Sequence, residues 1–166
     1  MMFTKQQLDS FVGQTIADIC PNKFHDNSAN HCAHFVSHAL NLHFGYDCKQ
    51  HKGGLEPGAN IRVHEVFARC PKVTEINQTT TSLTGIIFVS GSKNFVTKGG
   101  KTTLKNVPKK HIGLLLGGTV WHYSNPVDKV ITQPMSQFLF HYKGQTNSMW
   151  HGTLPVGARP IGFQQC

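Results

Sequence analysis

The chain has 166 residues, a length that suits one compact domain covering residues 1–166, because a domain of this size buries roughly 70% of its unfolded surface. Hydrophobic residues make up 39% of the sequence, which excludes a disordered chain and favours a mixed α and β protein. The formal net charge of +8 favours an anionic partner, either nucleic acid, a membrane surface or the bacterial cell wall. The apolar runs are too short to span a bilayer, so we expect no membrane insertion.

Three helices are predicted in the first half of the chain. Thr4 and Gln7 have the spacing of a capping box, and the apolar residues that follow them predict one helix ending near Cys20. A second helix begins near Cys32 and is expected to end near Phe44, with Gly45 as its left-handed cap. Ser28 or Asn30 is the candidate N-cap of this helix. A third helix lies between positions 60 and 71.

The second half of the chain predicts strands. The β-rich runs are residues 84–90, 111–116, 119–124, 129–132, 138–142 and 159–163. Residues 91–108 read as a long polar connection that is rich in lysine, namely Lys93, Lys98, Lys101 and Lys105, followed by Lys109 and Lys110. This run is either a solvated loop or a mobile basic rim that gathers an anionic polymer. Nucleic acid is disfavoured as a partner because Phe95 is the only aromatic residue in the run.

Two histidines fall on a predicted hairpin. If Gly117 and Gly118 form a two-residue turn, facing positions sum to 235 and Leu116 faces Thr119. His111 and His122 then share one face, while Ile112, Leu114, Trp121 and Tyr123 lie on the other as candidate core residues. The two imidazoles are diagonal neighbours and can hydrogen-bond. One can therefore act as a base while the other orients it.

Cys32 is placed at the first turn of its helix, where the partial positive charge of the helix N-terminus favours a thiolate. A cysteine on an apolar stripe is also a common packing residue. The other cysteines, Cys20, Cys48, Cys70 and Cys166, are read as free thiols, although a Cys20–Cys48 bridge stays open. His34 and His38 lie one turn apart and could ligate zinc. Phe35 stands where a zinc-peptidase helix carries glutamate, so we read the two histidines as exposed polar residues.

These motifs resemble the papain-like cell-wall peptidases of the NlpC type and the related CHAP amidases. The similarity rests on Asn-x-Cys-Ala-x-Phe-Val at residues 30–36, on His-Ile-Gly-Leu-x-Leu-Gly at 111–117, and on a second polar residue at His122. The resemblance implies an α+β fold in which the cysteine helix packs on an antiparallel sheet. It also implies a metal-free and cofactor-free hydrolase that cleaves amide bonds in peptidoglycan stem peptides.

In the roles that the resemblance implies, Cys32 is the nucleophile, His111 the base and acid, and His122 the orienter. Asn125 and Asp128 are alternative orienting residues. Family members commonly carry a tyrosine upstream of the cysteine that helps to bind the oxyanion, and residues 21–31 contain no tyrosine. The oxyanion candidates are therefore the Cys32 backbone N–H and the side chains of Asn30 and His25.

Two rival functions use the same residues. One is acyl transfer on the same fold, and the other is a non-enzymatic basic module in which histidines and cysteines hold zinc. No secretory signal is recognised in the sequence, so we expect synthesis in the cytoplasm and delivery to the cell wall or periplasm by a route other than Sec. We expect a monomer, with an immunity protein or a secretion-machine carrier as possible protein partners.

Overall fold

A computed structural model describes residues 2–21, 24–25, 30–45, 48 and 61–160. The helices are α1 (Lys5–Asp9), α2 (Ile16–Ile19), α3 (Cys32–Ala39), α4 (Val63–Arg69) and α5 (Met135–Phe138). The strands are β1 (Val73–Ile76), β2 (Thr84–Gly91), β3 (Phe95–Lys98), β4 (Lys101–Leu104), β5 (Lys110–Leu116), β6 (Thr119–Ser124), β7 (Lys129–Pro134) and β8 (Asn147–Gly152).

Six of these strands form one antiparallel sheet in the order β1-β8-β2-β5-β6-β7. The fold is therefore a mixed α and β fold with a large antiparallel sheet and short helices, as the sequence predicts at this coarse level. The pattern missed β1 and β8. The predicted strand at 138–142 is wrong, because α5 ends there and a turn follows. Residues 159 and 160 are not in a strand, and 161–163 lie outside the described residues.

The N-terminal segment forms two short helices where one was predicted. The capping box is confirmed, since Gln7 N–H donates to Thr4 Oγ1 and Thr4 N–H donates to Gln7 Oε1. Helix α1 ends at Asp9 and a turn follows it. In that turn Gly13 is left-handed, with φ of 85°, and its N–H donates to Val130 O. The backbone hydrogen bonds of this segment to β7 replace those that a continued helix would make.

Helix α3 ends earlier than predicted, at Ala39, because Asn41 adopts the left-handed conformation with φ of 53°. The Leu42 N–H donates to Ser37 O at 2.8 Å and the Asn41 N–H donates to His38 O at 3.3 Å. These two bonds form a Schellman motif, which satisfies the last carbonyls of the helix. Gly45 is also left-handed, but it lies beyond the end of α3.

The sheet carries a core on each face. On one face, Ile112, Leu114, Trp121 and Tyr123 pack with residues of α3, including Cys32. On the other face, Leu115 and Val120 pack with residues of α5 such as Phe138. Trp121 and Tyr123 are buried, as predicted.

The lysine-rich segment is not a plain loop. It contains a short 3-10 helix (Ser92–Asn94) and the hairpin β3–β4, whose turn residues Gly99 and Gly100 have positive φ. Lys93, Lys98, Lys101, Lys105 and Lys109 are exposed. Lys110 differs, because it begins β5 and is 8% exposed.

Candidate functional site

The β5–β6 hairpin has the predicted register. Leu116 pairs with Thr119 and Leu114 pairs with Trp121 across the turn at Gly117 and Gly118. Both turn glycines have positive φ, as a two-residue turn of this kind requires. Pairing stops at Leu114–Trp121, so the two strands separate toward residues 110 and 124.

His111 and His122 are joined on the predicted face. His111 Nε2 lies 2.8 Å from His122 Nδ1, and the ring centroids are 4.9 Å apart. His122 Nε2 lies 2.9 Å from Gln133 Oε1. The three side chains therefore form a continuous hydrogen-bonded row, which we call the histidine relay.

The relay fixes the tautomers of both rings. Gln133 Oε1 can only accept a hydrogen bond, so His122 Nε2 carries a proton and a neutral His122 has a bare Nδ1. That Nδ1 then accepts from His111 Nε2–H, which leaves His111 Nδ1 without a proton. A neutral His111 held in this way has the free lone pair that a general base needs.

Both rings are neutral because they are buried. Burial lowers the pKa of His122 to about 4, and the nearby His141 adds to this effect. Burial, followed by the neighbouring His141 and His122, lowers the pKa of His111 well below its ordinary value. Gln133 partly offsets the shift at His122, since its oxygen stabilises the protonated ring.

The relay is packed between aromatic groups at the edge of a pocket. The His141 ring stacks on His111 with centroids 4.0 Å apart and planes 7° apart, and Phe138 contacts both relay histidines. Gln133 and His141 also line a surface pocket of about 640 Å³, together with Phe140 and Lys143. The outer end of the relay is therefore next to a space that a ligand can enter.

Cys32 lies at the separating end of β5 and β6. The His31 N–H donates to Asn125 Oδ1 at 3.2 Å, which holds the start of α3 beside the end of β6. The thiol is 2% exposed, and burial raises its pKa to about 12. The backbone N–H groups of Ala33 and Ile112 and the charge of Lys110 act in the opposite direction without cancelling that effect. The resting group is a neutral thiol.

The thiol adjoins the strand that carries His111. The two neighbours of His111 both act to lower the pKa of the thiol, Ile112 through its backbone N–H and Lys110 through its charge. Helix α3 packs on the Ile112 face of the sheet. That Cys32, at the start of this helix, meets His111 stays a prediction. Among the described residues, no hydrogen bond joins the Cys32 sulfur to the His111 ring. The strand separation is the place where the two groups can approach each other.

The other predicted site residues have different contacts. Asn30 Oδ1 accepts from the Cys32 N–H at 2.9 Å, which occupies that N–H. The N-cap of α3 is His31 and not Asn30 as predicted, and the other candidate, Ser28, lies outside the described residues. His25 is exposed. Asn125 binds the His31 N–H and Asp128 accepts from Tyr123 Oη at 2.7 Å, so neither orients a relay histidine. Gln133 is the residue whose side chain is hydrogen-bonded to a relay histidine, His122.

A group of basic residues lies near the thiol. The ammonium of Lys110 donates to Val107 O. Burial, followed by the nearby Arg62, lowers the pKa of this ammonium, and Cys32 raises it. Lys110 in turn helps to lower the pKa of His64, after the larger effect of burial. This cationic surrounding favours an anionic group close to Cys32.

A second cluster of cysteines and histidines lies elsewhere on α3. Cys20, His34, His38 and Cys48 each offer a ligand atom, and these atoms all lie within 4.8 Å of one another. His34 is fully buried, contrary to the exposed position that we expected, and burial lowers its pKa to about 2. Sequence spacing gave no signal for the four together, although it raised Cys20 with Cys48 and His34 with His38 as separate pairs.

The sequence matches no protein-family model and no curated protein, and the fold matches no solved structure. No helix in the described part of the chain is long and apolar enough to cross a membrane. The site must therefore be interpreted from its own geometry.

Proposed function

We propose that the protein is a papain-like cysteine hydrolase that cleaves amide bonds in peptidoglycan stem peptides. Cys32 is the nucleophile, His111 the base and acid, and His122 the orienter, with Gln133 completing the row. The observation that carries the proposal is the histidine relay, which leaves His111 Nδ1 as a free base beside the strand position that Cys32 adjoins. A nucleophile, a base and an orienting group in sequence are the parts that such catalysis requires.

The reaction begins with a neutral pair. His111 Nδ1 takes the thiol proton as the Cys32 sulfur attacks the substrate carbonyl, and the Nε2–H bond to His122 stabilises the imidazolium that forms. The C–N bond then breaks and His111 gives its proton to the leaving amine. Water, deprotonated by His111, attacks the thioester and releases the carboxylate product and the thiol.

Two features of the free protein must change for this reaction. The thiol and the His111 ring are not hydrogen-bonded, and both are nearly buried, at 2% and 4% exposed. Catalytic hydrogen bonds are often long in a free enzyme and shorten when substrate binds. Substrate binding at the separating end of β5 and β6 must therefore open that end and bring the sulfur to Nδ1.

Charge supports an anionic polymer as substrate. The net charge of +8 and the exposed lysines of the β3–β4 region attract polyanions over a distance. Lys110 near the thiol, with Arg62 close to Lys110, can pair with a carboxylate beside the scissile bond. Stem peptides of peptidoglycan carry such carboxylates.

The test is digestion of purified sacculi, with the muropeptides read by mass spectrometry. The wild type is expected to release new fragments ending in an amine and a carboxylate, and Cys32→Ala and His111→Ala to release none. Cys70→Ala is the matched control, because Cys70 is a partly buried thiol whose pKa burial also raises to about 12. Absence of new fragments with the wild type would refute the substrate, and cleavage by Cys32→Ala would refute the nucleophile.

A second candidate, a non-enzymatic zinc-binding module, is favoured by the cluster of Cys20, His34, His38 and Cys48. It predicts metal in the purified protein and no muropeptide release under any condition.

Acyl transfer is distinguished from hydrolysis by adding an amine acceptor to the digestion. An amide of that acceptor among the products would identify the transferase.

A further inference from the structure

The four-residue cluster on α3 has the dimensions of a metal site. Cys20 Sγ and Cys48 Sγ lie 3.4 Å apart, and Cys48 Sγ lies 3.6 Å from His38 Nε2. With usual bond lengths of about 2.3 Å to sulfur and 2.0–2.1 Å to nitrogen, the corresponding edges of a tetrahedral zinc site are roughly 3.6–3.8 Å. The two measured edges are close to these values.

His34 provides an independent reason to expect a ligand there. His31 Nδ1 lies 3.0 Å from His34 Nδ1, so one nitrogen of the His34 ring is already engaged. The other nitrogen, Nε2, is buried and has no hydrogen-bond partner among the described residues, and His34 is 0% exposed. A buried polar nitrogen without a partner is costly, and a bound metal would satisfy it. His31 then orients the ligand ring from behind, as residues behind metal-bound histidines commonly do.

Burial and charge indicate which metal the cluster would bind. Cys20 and Cys48 are 1% and 3% exposed, and their sulfur atoms, 3.4 Å apart, are not joined in a disulfide. Two thiolates would place two negative charges in this interior, and a divalent cation neutralises both. Two sulfur and two imidazole ligands are a common tetrahedral set for zinc, and the softness of the sulfur disfavours magnesium and calcium.

We propose that Cys20, His34, His38 and Cys48 bind one zinc ion in a closed structural site. Four protein ligands leave no position for substrate or activated water, so the site is structural and not catalytic. The ion would join the residue after α2 and the segment after α3 to the middle of α3 itself. It would therefore hold the helix that carries Cys32 from the side remote from the thiol. This inference does not depend on the proposed hydrolase activity.

The direct test is metal analysis of the purified full-length protein by inductively coupled plasma mass spectrometry. We expect one zinc per chain in the wild type, and loss of bound zinc in Cys20→Ser, Cys48→Ser and His38→Asn. Cys70→Ser and His64→Asn are matched controls outside the cluster and should keep the metal. Metal-free wild type, or full zinc retention by Cys20→Ser and Cys48→Ser, would overturn the proposal.

Two measurements on the wild-type protein remain decisive if the variants fail to fold. Replacement of zinc by cobalt should give the intense visible bands of tetrahedral cobalt and a sulfur-to-cobalt charge-transfer band. Iodoacetamide labelling with peptide mapping should find Cys20 and Cys48 protected with metal present and labelled after chelation. A weak octahedral cobalt spectrum, labelling that ignores the chelator, or a Cys20–Cys48 disulfide in the native protein would each refute the zinc site.

The metal analysis, the cobalt spectrum and the thiol labelling do not depend on hydrolase activity. Zinc with no muropeptide release would leave the metal site standing and refute the hydrolase. Muropeptide release by a protein without zinc would refute the metal site and leave the hydrolase standing.

Discussion

Gly113 is the residue at which the geometry of the histidine relay can be tested most directly. A Cβ at this position would lie 2.7 Å from Val120 Cγ1, 2.9 Å from Trp121 O and 3.1 Å from His122 Cβ. Trp121 O is backbone and Val120 is fully buried, so neither can rotate away. Gly113→Ala must therefore push β6 away from β5 and carry His122 with it.

We expect Gly113→Ala to lower the free energy of unfolding by about 1–3 kcal/mol, the usual cost of overpacking a tight core. For a chain of this length each kcal/mol lowers Tm by about 2–4 °C. Urea and thermal denaturation measure the loss. Nitrogen NMR shifts of the histidine rings should also change, because the contact between His111 and His122 sets their tautomers.

Gly91→Ala is the matched control on the same sheet. Its Cβ would meet only the ends of two flexible side chains, Gln145 Nε2 at 3.1 Å and Asn94 Nδ2 at 3.2 Å. Its cost should stay within about 0.5 kcal/mol, as at a permissive position. If Gly113→Ala were as stable as Gly91→Ala with unchanged histidine shifts, the close packing of β5 and β6 at the relay would be refuted.

Two further predictions concern protonation. Because His122 has a pKa of about 4 when folded and 6.5 ordinarily, the unfolded chain takes up its proton first, and stability should fall as pH falls from about 6.5 to 4, with His122 alone contributing about 3 kcal/mol. His34 and His111, whose pKa values burial also lowers, add to the loss in the same direction. Urea midpoints across this range test it, and a midpoint that rises or stays level would contradict it. Since the Cys32 pKa is about 12, labelling of Cys32 by iodoacetamide should be slow and keep rising about tenfold per pH unit between roughly pH 6 and 9. A plateau near neutral pH would instead show a thiolate paired with an imidazolium.

Local sequence patterns predicted local geometry well where adjacent residues control it. The Thr4–Gln7 capping box formed as expected, and so did the Gly117-Gly118 turn with its register. A two-residue turn sets the alternation of both strands, so the shared face of His111 and His122 followed from the sequence. Helix ends were less predictable. Helix α3 ends early because a Schellman motif at Asn41 satisfies its last carbonyls, and the helix predicted to run to Cys20 is interrupted where Gly13 and Gln14 bond to Val130 of β7.

Contacts between distant segments were not predictable from the pattern. Gln133 completes the relay only because β7 pairs with β6, and His141 reaches His111 only because a turn follows α5. β8 went unrecognised, although it lies between β1 and β2 in the sheet. Such pairings depend on the burial of whole faces, which residue spacing does not encode.

The sequence by itself determined the start of the cysteine helix and the hairpin that joins two histidines, because capping, helical periodicity and strand alternation act over a few residues. Only the tertiary structure decided on which face of the sheet α3 packs and which side chains complete each cluster. It packed α3 on the sheet face opposite the histidine relay and put Cys32 near the end where the strands separate. It also gathered Cys20, His34, His38 and Cys48 from segments up to 28 residues apart. Distant ligands meet because folding buries them together.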